Sequence, residues 1–228
     1  MQSGALILIL LASCGSDHVV RPDETTEITE NNTEPVSGNS LADVLSPEMF
    51  AAMFLHQAED ACNASAYTYD ALIEAAQMFP KFGTEGSSEA RGREVSAFLA
   101  NVSHETTGGW PVAPDGQFAW GLCFREELAC DGTPSPCVEN YCQSWSTDYP
   151  CADGQSYHGR GPLQLSWNYN YGPAGTAIGQ PLLQEPFRVA ENGVVGWQAA
   201  LWFWMTTQLP KPSCHDVMTG MWEPSTED

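Results

Sequence analysis

The sequence predicts a mainly α-helical domain with a few short extended segments. Apolar side chains recur at helical spacing in three stretches, and a fourth stretch, residues 196–206, is apolar nearly all round. Prolines and glycines interrupt the chain between these stretches. The 228 residues are 43% hydrophobic and 11% aromatic, which is enough to build the core of one domain.

Charge and cysteine content limit the functions open to this chain. The formal net charge is -21 at pH 7, from eight basic and 29 acidic side chains. Such a chain has no basic stripe to neutralise phosphates or anionic lipids, so we expect no nucleic-acid partner. A neutral polymer such as a polysaccharide is compatible with this charge. The eight cysteines indicate disulfides if the chain is exported.

The first residues are typical of an exported protein. Residues 5–12 form an eight-residue apolar run, too short to cross a bilayer and therefore interpreted as the core of a signal peptide. The run leads into the tetrapeptide LASC, which resembles a bacterial lipobox, so Cys14 is expected to carry a lipid that tethers the protein. Residues 1–4 contain no Lys or Arg, which departs from a usual signal peptide and keeps a plain secretory signal as the alternative.

A linker is predicted between this signal and the globular part. Residues 15–45 are rich in Asp, Glu, Thr, Asn and Ser and poor in aromatics, a composition typical of a flexible acidic spacer. The domain is predicted to begin at Ser46, which can cap a first helix that starts with Pro47. A second helix is predicted from Tyr69 to the break at Pro80.

The third predicted helix, residues 87–109, carries a candidate catalytic acid. Its apolar side chains follow one face at i, i+3, i+4 and i+7: Val95, Phe98, Leu99 and Val102. The next position on that face is Glu105, where partial desolvation would raise the pKa, as a general acid requires. Gly108 and Gly109 are predicted to end the helix. The alternative is a solvent-exposed Glu105 with His104 as an ordinary polar neighbour.

A second pair of carboxylates follows an extended segment. In residues 118–124 the large apolar side chains alternate with small ones, which predicts a short strand or extended segment running into Glu126 and Glu127. Two carboxyl groups that flank a glycosidic bond, one protonating the leaving oxygen and one activating water, are the usual machinery of glycoside hydrolysis.

Polar and aromatic residues are interleaved in residues 157–171. The run contains Gln164, Ser166, Asn168, Tyr169, Asn170 and Tyr171. Amides and hydroxyls among aromatic rings suit sugars, whose hydroxyls need donors and acceptors and whose apolar faces stack on rings. Asn, Tyr and Gly also form turns, so both interpretations stay open.

Five segments of the chain, in order, resemble one known family. They are FLANVSHETTGGW (residues 98–110), FAWGLCF (118–124), GRGPLQLS (159–166), NYNYGPAG (168–175) and ALWFWM (200–205). The chain resembles glycoside hydrolase family 19, the plant-type and bacterial chitinases, from about residue 49 to residue 228. The resemblance implies a lysozyme-like, mostly helical fold of two lobes. It also implies endo-acting, inverting hydrolysis of β-1,4 bonds in chitin, without a metal or organic cofactor.

The same resemblance assigns roles to individual residues. Glu105 would be the proton donor and Glu127 the general base, with Glu126 as the fallback for the base. Ser166 resembles the serine that helps to hold the attacking water. The positions that would line the sugar groove are His104, Tyr149, Gln164, Tyr169, Asn170 and Lys211. Tyr149 stands where the family commonly has tryptophan, and a tyrosine ring can also stack on a sugar.

The resemblance also implies two disulfides, Cys62 with Cys123 and Cys142 with Cys151. Cys130 and Cys137 fall in what looks like an insertion, where we expect a third, local bridge. With Cys14 lipidated, Cys214 would be left over.

Family members continue beyond the point that corresponds to residue 228, so the second lobe is expected to be incomplete. This expectation keeps two alternatives to a chitinase: a peptidoglycan hydrolase, and an inactive, lectin-like lipoprotein that binds carbohydrate. The expected partner is chitin or a related N-acetylglucosamine polymer. The chain is expected to act as a monomer, either secreted or attached to a bacterial cell envelope through the lipid anchor alone.

Overall fold

The computed structural model describes residues 40–107, 111–127, 130 and 140–224, and this part of the chain is mainly helical. In chain order its elements are a 3₁₀ helix (Leu41–Asp43), α1 (Pro47–Met53), α2 (Tyr69–Ala76), α3 (Ser88–Thr106), a second 3₁₀ helix (Gln117–Trp120), α4 (Asn168–Ile178), α5 (Arg188–Glu191), α6 (Gly193–Met205) and α7 (Cys214–Thr219). The described residues contain no strand, and their β structure is limited to isolated bridges. The predicted mainly helical fold with short extended segments is confirmed.

The helix starts predicted from the sequence are confirmed by their caps. The Ser46 hydroxyl accepts a hydrogen bond from an amide in the first turn of α1, and Pro47 takes the first helical position. Thr68 caps α2 in the same way. These caps satisfy amides that have no partner inside the helix. Leu41 and Leu45 are buried as well, so packing already includes residues ahead of Ser46.

Helix α6 forms the centre of the core. It contacts α2, α4, α5 and α7, and its Trp197 and Leu201 are fully buried. The Phe98 ring on α3 packs against Trp197, with ring centroids 6.1 Å apart, and against Trp204 at 5.4 Å. The buried helix predicted over residues 196–206 is confirmed, because a helix that is apolar all round has to be enclosed.

The strand or extended segment predicted over residues 118–124 is only partly present, because residues Gln117–Trp120 form a 3₁₀ helix. The amides that follow bond to the end of α3. Leu122 donates to the Thr106 hydroxyl at 2.6 Å, and Phe124 donates to the Thr106 carbonyl at 3.0 Å. Alternating apolar residues form a strand only beside a pairing strand, and here a helix end takes those hydrogen bonds.

Helix α4 is absent from the sequence predictions, because Asn, Tyr, Gly and Pro are weak helix formers. Tertiary packing supports it instead. Asn168 and Tyr171 are fully buried. The Tyr149 ring lies so close to Gly172 that even a single Cβ atom at this position would collide with it. The short helices α5 and α7 are likewise visible only in the folded chain.

A buried carboxylate joins α3 to α7. Glu94 is fully buried, and it accepts hydrogen bonds from the Gly83 amide at 2.9 Å and from the Trp204 indole N–H at 3.1 Å. Its other contact is His215 Nδ1 at 2.6 Å, while His215 Nε2 lies 3.0 Å from Glu85. Glu94 falls on the same helix face as Phe98 and Val102, four and eight residues later, which is the sequence signal for its burial.

The charge state of His215 couples this junction to pH. Hydrogen bonding to Glu94 raises the pKa of His215 above its ordinary value; burial opposes this, and the charges of Glu94 and Glu85 support it. Because the folded-state pKa is raised, the stabilisation is fully present below the ordinary value of about 6.5 and is lost as the pH rises through the folded value.

We expect Glu94→Gln to lower the free energy of unfolding at pH 6 by about 3 to 5 kcal/mol, because it removes one partner of a buried ion pair. The matched control is Glu89→Gln on the same helix, whose exposed ion pair with Arg93 spans 3.6 Å. This control should change stability by less than about 0.5 kcal/mol in urea titrations. In Glu94→Gln, the part of the pH-dependent loss of stability that comes from the contact between Glu94 and His215 should also disappear. Similar losses in the two variants would count against the buried junction.

Candidate active site

Glu105 lies in the last turn of α3, where the helix continues its buried face. The four apolar side chains predicted to form that face are each 4% exposed or less, so the predicted face is confirmed. Glu105 itself is half-buried, and this burial raises its pKa to about 7. Its carboxyl group therefore keeps its proton at mildly acidic pH, as a general acid must. The helix ends at Thr106, while Gly108 and Gly109 lie outside the described residues.

The segment that leads to the second pair of carboxylates is attached to the same helix end. Besides its hydrogen bonds with Thr106, it packs Gly121 against α3, where a Cβ atom would come within 2.6 Å of the Ser103 hydroxyl. The disulfide between Cys62 and Cys123 holds it from the other side. Residues 121–124 are therefore attached to the end of α3 that carries Glu105, and Glu126 and Glu127 follow them closely in the chain.

Glu126 lies in a cluster of cationic and polar groups. His158 Nε2 is 3.2 Å from one carboxylate oxygen, and the Nε atoms of Arg160 and Arg125 are each 3.4 Å from a carboxylate oxygen. Arg160 also donates to His158 Nδ1 at 3.2 Å, so the proton of a neutral His158 lies on Nε2 and points to Glu126. Burial alone would raise the pKa of Glu126, but the His158 hydrogen bond and the nearby charges outweigh it and lower the pKa.

Glu127 is held by a different set of contacts. Its amide donates to the Gly159 carbonyl at 2.9 Å. The Tyr141 hydroxyl lies 3.0 and 2.8 Å from its two carboxylate oxygens. That hydroxyl carries a single proton, so it serves the two oxygens in turn and restrains the carboxylate. Tyr141 is a residue that the sequence analysis missed; its backbone φ of 51° is a left-handed conformation that no local signal predicts.

Ser166 and Gln164 lie beside the backbone that anchors Glu127. A Cβ atom on Gly159 would be 2.9 Å from Gln164 Oε1 and 3.3 Å from Ser166 Oγ, so both side chains crowd this glycine. The Gln164 side-chain amide donates to the Gly161 carbonyl at 2.9 Å, and the Ser166 hydroxyl donates to the Gln164 backbone carbonyl at 2.9 Å. Gly159 thus connects the backbone of Glu127 to the side chains of Gln164 and Ser166, and the roles of these three residues stay predictions.

Comparison with known proteins adds a family to this geometry. The sequence model of the class I chitinases of glycoside hydrolase family 19 matches residues 44–228. The chain belongs to glycoside hydrolase family 19. An endochitinase of Carica papaya is 56% identical over 186 residues, which are 81% of this chain and 73% of the relative. A protein of Hevea brasiliensis named inactive chitinase-like protein 1 is 52% identical over 84% of this chain and 59% of its own length.

Solved structures have the same fold. The crystal structure of a family 19, class IV chitinase from Zea mays superposes with a TM-score of 0.61 at 37% identity, over 78% of this chain and 75% of that one. The lysozyme-like helical fold implied by the resemblance is confirmed. Among curated relatives that are 51 to 56% identical, this chain spans between 53 and 73% of their length.

The residues of this family 19 chain that are predicted to line the sugar groove differ in their burial and contacts. Tyr169 is half-buried, and burial raises its pKa. Its ring stacks on Trp145 and on Trp167, two residues that the sequence analysis did not select. The Asn170 side chain donates to the Ser166 carbonyl at 2.9 Å, which places it beside the candidate active site.

Two predicted groove residues lie on the surface. The His104 side chain is exposed on α3, next to Glu105 in the chain. Lys211 is exposed in a tight turn, where its backbone pairs with that of Gln208. Their roles in sugar binding stay predictions.

The disulfides of this family 19 chain confirm two predicted pairs, Cys62–Cys123 and Cys142–Cys151. Cys130 and Cys214 are also bonded in disulfides, so the expectation that Cys214 is left over is wrong. That expectation followed from pairing Cys130 with Cys137 and giving Cys14 a lipid, and with Cys214 bonded within the chain these two assignments cannot both hold. Cys14 and Cys137 lie outside the described residues, and the expected bridge between Cys130 and Cys137 stays a prediction.

Proposed function

We propose that this chain is an endo-acting, inverting chitinase that hydrolyses β-1,4 bonds in chitin or a related N-acetylglucosamine polymer. The observation that carries the proposal is a pair of carboxyl groups in contrasting surroundings. Burial raises the pKa of Glu105 to about 7, whereas Glu127 is restrained by a hydroxyl donor. Two carboxyl groups with such different environments suit the separate roles of acid and base.

In this mechanism Glu105 donates its proton to the glycosidic oxygen as the bond between that oxygen and the anomeric carbon breaks. Glu127 accepts a proton from a water molecule, whose oxygen attacks the anomeric carbon from the opposite face of the sugar. Ser166 Oγ donates its own proton to the Gln164 carbonyl, so its lone pairs are available to accept the second hydrogen of that water. Glu105 then regains a proton from solvent and Glu127 releases one.

The surroundings of Glu126 argue against the fallback assignment of the base. Its two oxygens are already engaged by His158, Arg160 and Arg125, and its pKa is lowered. A carboxylate paired with two arginines and bonded to His158 is a weak proton acceptor and has little freedom to approach water. We assign Glu126 to structure, where it ties residues 125–127 to residues 158–161.

Export of the protein is part of the proposal. The two described disulfides persist only in an oxidising compartment, which agrees with the signal peptide and the lipobox around Cys14 that the sequence predicts. None of the helices in the described part of the chain is both long and apolar enough to cross a lipid bilayer. We propose a secreted enzyme. A lipid tether on Cys14 requires in addition that Cys14 forms no disulfide, and globomycin-sensitive processing in a bacterial host would test it.

The function is tested by incubating the purified full chain with soluble chitin oligosaccharides and following the anomers of the products by proton NMR at early times. An inverting enzyme should release α-anomers first from these β-linked substrates. A Glu105→Gln protein prepared in parallel reports contamination by a host chitinase. Early β-anomers would contradict the mechanism. No product from a folded protein that still binds chitin would favour an inactive carbohydrate-binding protein, and cleavage of peptidoglycan strands alone would identify the other alternative.

A further inference from the structure

Trp145 is the one exposed tryptophan among the described residues, with 66% of its surface open to solvent. It stands in the loop between Cys142 and Cys151, outside every helix. Its indole stacks on the half-buried Tyr169 ring, with centroids 5.0 Å apart and planes 27° from parallel. One face of the indole is therefore occupied by Tyr169, and the other face is open.

The stack continues toward the candidate base. Tyr169 is nearly parallel to Trp167, at a centroid distance of 6.1 Å and an angle of 13°. Trp167 contacts the Tyr141 ring at 5.0 Å, and the Tyr141 hydroxyl bonds to Glu127. We call these four rings, Trp145, Tyr169, Trp167 and Tyr141, the aromatic row. It links an exposed indole to the carboxylate that activates water in the proposed mechanism.

The loop that carries Trp145 is built to hold it in place. The disulfide between Cys142 and Cys151 closes the loop. The Asn168 side chain, which is fully buried, accepts from the Gln143 amide at 2.7 Å and donates to the Gln143 carbonyl at 3.1 Å. An exposed aromatic ring on a restrained loop loses little conformational entropy when it binds a ligand.

Two residues of the row have an uncommon backbone conformation. Tyr141 and Trp167 both have positive φ angles, 51° and 74°, which are uncommon for bulky side chains. Glycine adopts positive φ easily, but at either position it would remove a ring from the row. Bulky residues are held in such conformations only where the surrounding structure over-determines them, and these positions cluster at functional sites.

We propose that the open face of Trp145 is a sugar-binding platform that extends the substrate groove beyond the predicted positions and holds one N-acetylglucosamine ring of the polymer. The apolar face of a pyranose ring matches an open indole face. The net charge of -21 disfavours anionic lipids and nucleic acids as the occupant of this surface. The platform rests on the proposed function, because the groove that it extends is the one defined by Glu105 and Glu127.

The position of the platform determines which kinetic constant it affects. Trp145 is separated from Glu127 by the other three rings of the row, so a sugar on it is remote from the bond that breaks. Such a contact is made equally in the ground state and the transition state, and it lowers KM without raising kcat. Only chains long enough to reach from the reacting bond to Trp145 gain from it.

The test is Trp145→Ala with a series of soluble chitin oligosaccharides of increasing length and with insoluble chitin. We expect KM for the longest substrates and the dissociation constant for insoluble chitin to rise roughly three- to tenfold, with a defect that grows with substrate length. Trp145→Phe keeps a stacking ring and should recover most of the loss. Phe187→Ala is the matched control, because Phe187 is an exposed aromatic side chain (46%) that takes no part in the aromatic row.

Binding is measured in the Glu105→Gln background, so that it does not depend on turnover. If the wild-type chain hydrolyses and binds chitin, and Trp145→Ala leaves KM and the dissociation constant unchanged, the platform is wrong and the proposed function stands. If the wild-type chain binds chitin but hydrolyses nothing, and Trp145→Ala removes the binding, the proposed function is wrong and the platform is supported. A wild-type chain that neither binds nor cleaves chitin would overturn both.

Discussion

Glu105→Gln is expected to lower kcat for chitin oligosaccharides by about a hundredfold to ten-thousandfold, the usual contribution of a general acid. Glutamine keeps the shape of the side chain but has no proton to give to the leaving oxygen. KM should change little, because the loss falls on the transition state. The variant should retain activity toward a nitrophenyl glycoside of a short oligosaccharide, since that leaving group departs without protonation. An equal loss on both kinds of substrate would contradict the role of Glu105 as the acid.

The pH profile is a second consequence of the same residue. The acid must be protonated, and burial raises the pKa of Glu105 to about 7. The wild-type kcat/KM should therefore fall about tenfold per pH unit above that value. An alkaline limb near pH 4 to 5, where an ordinary glutamate titrates, would contradict the raised pKa of the catalytic acid.

Stability gives a readout that separates the loss of activity from misfolding. A carboxyl group whose folded pKa lies above its ordinary value favours the folded state at low pH, and this contribution is lost as the pH rises through about 7. Glutamine does not ionise, so Glu105→Gln should be more stable than the wild type above pH 7, by up to about 3 kcal/mol. Urea titrations at pH 5 and pH 8 measure this gain. If the variant is inactive and also destabilised at pH 8, its inactivity would come from misfolding and not from the missing general acid.

Glu127→Ala is expected to reduce kcat by a similar factor, because it removes the group that takes a proton from the attacking water. Azide is a small anion that attacks the anomeric carbon without a general base. Adding azide should restore turnover in Glu127→Ala and give an α-glycosyl azide as the product. The same salt should do nothing for Glu105→Gln on chitin oligosaccharides, where the leaving group still lacks its proton.

The neighbouring carboxylate provides a matched comparison. Glu126→Gln removes the negative charge from the cluster of Arg125, Arg160 and His158, so it should cost stability through the cations left unpaired. Its kcat should fall far less than that of Glu127→Ala. A loss in Glu126→Gln that azide repairs, with little effect of Glu127→Ala, would exchange the two assignments and make Glu126 the base.

Local patterns along the sequence were sufficient for some elements. The spacing of Val95, Phe98, Leu99 and Val102 predicts both α3 and the position of Glu105 on its buried side. The apolar run over residues 196–206 predicts the central helix. These predictions succeed because a helix is determined by side chains within a turn or two of each other, and burial follows from which face is apolar.

Tertiary structure decided the rest of the site, since it depends on groups far apart in the chain. The alternating residues before Glu126 predict a strand. They could not reveal that their amides bond to the end of α3 and not to a neighbouring strand. The choice between Glu126 and Glu127 depends on His158, Arg160 and Tyr141, which only the fold brings to them. The aromatic row arises in the same way, from a loop restrained by a disulfide against a helix whose own sequence is a weak helix former. The sequence by itself supplied Glu105 as the candidate acid and the pair Glu126 and Glu127 as candidates for the base. Packing determined which of them meet, because long-range contacts are set by the shape of the whole core and leave no periodic signal.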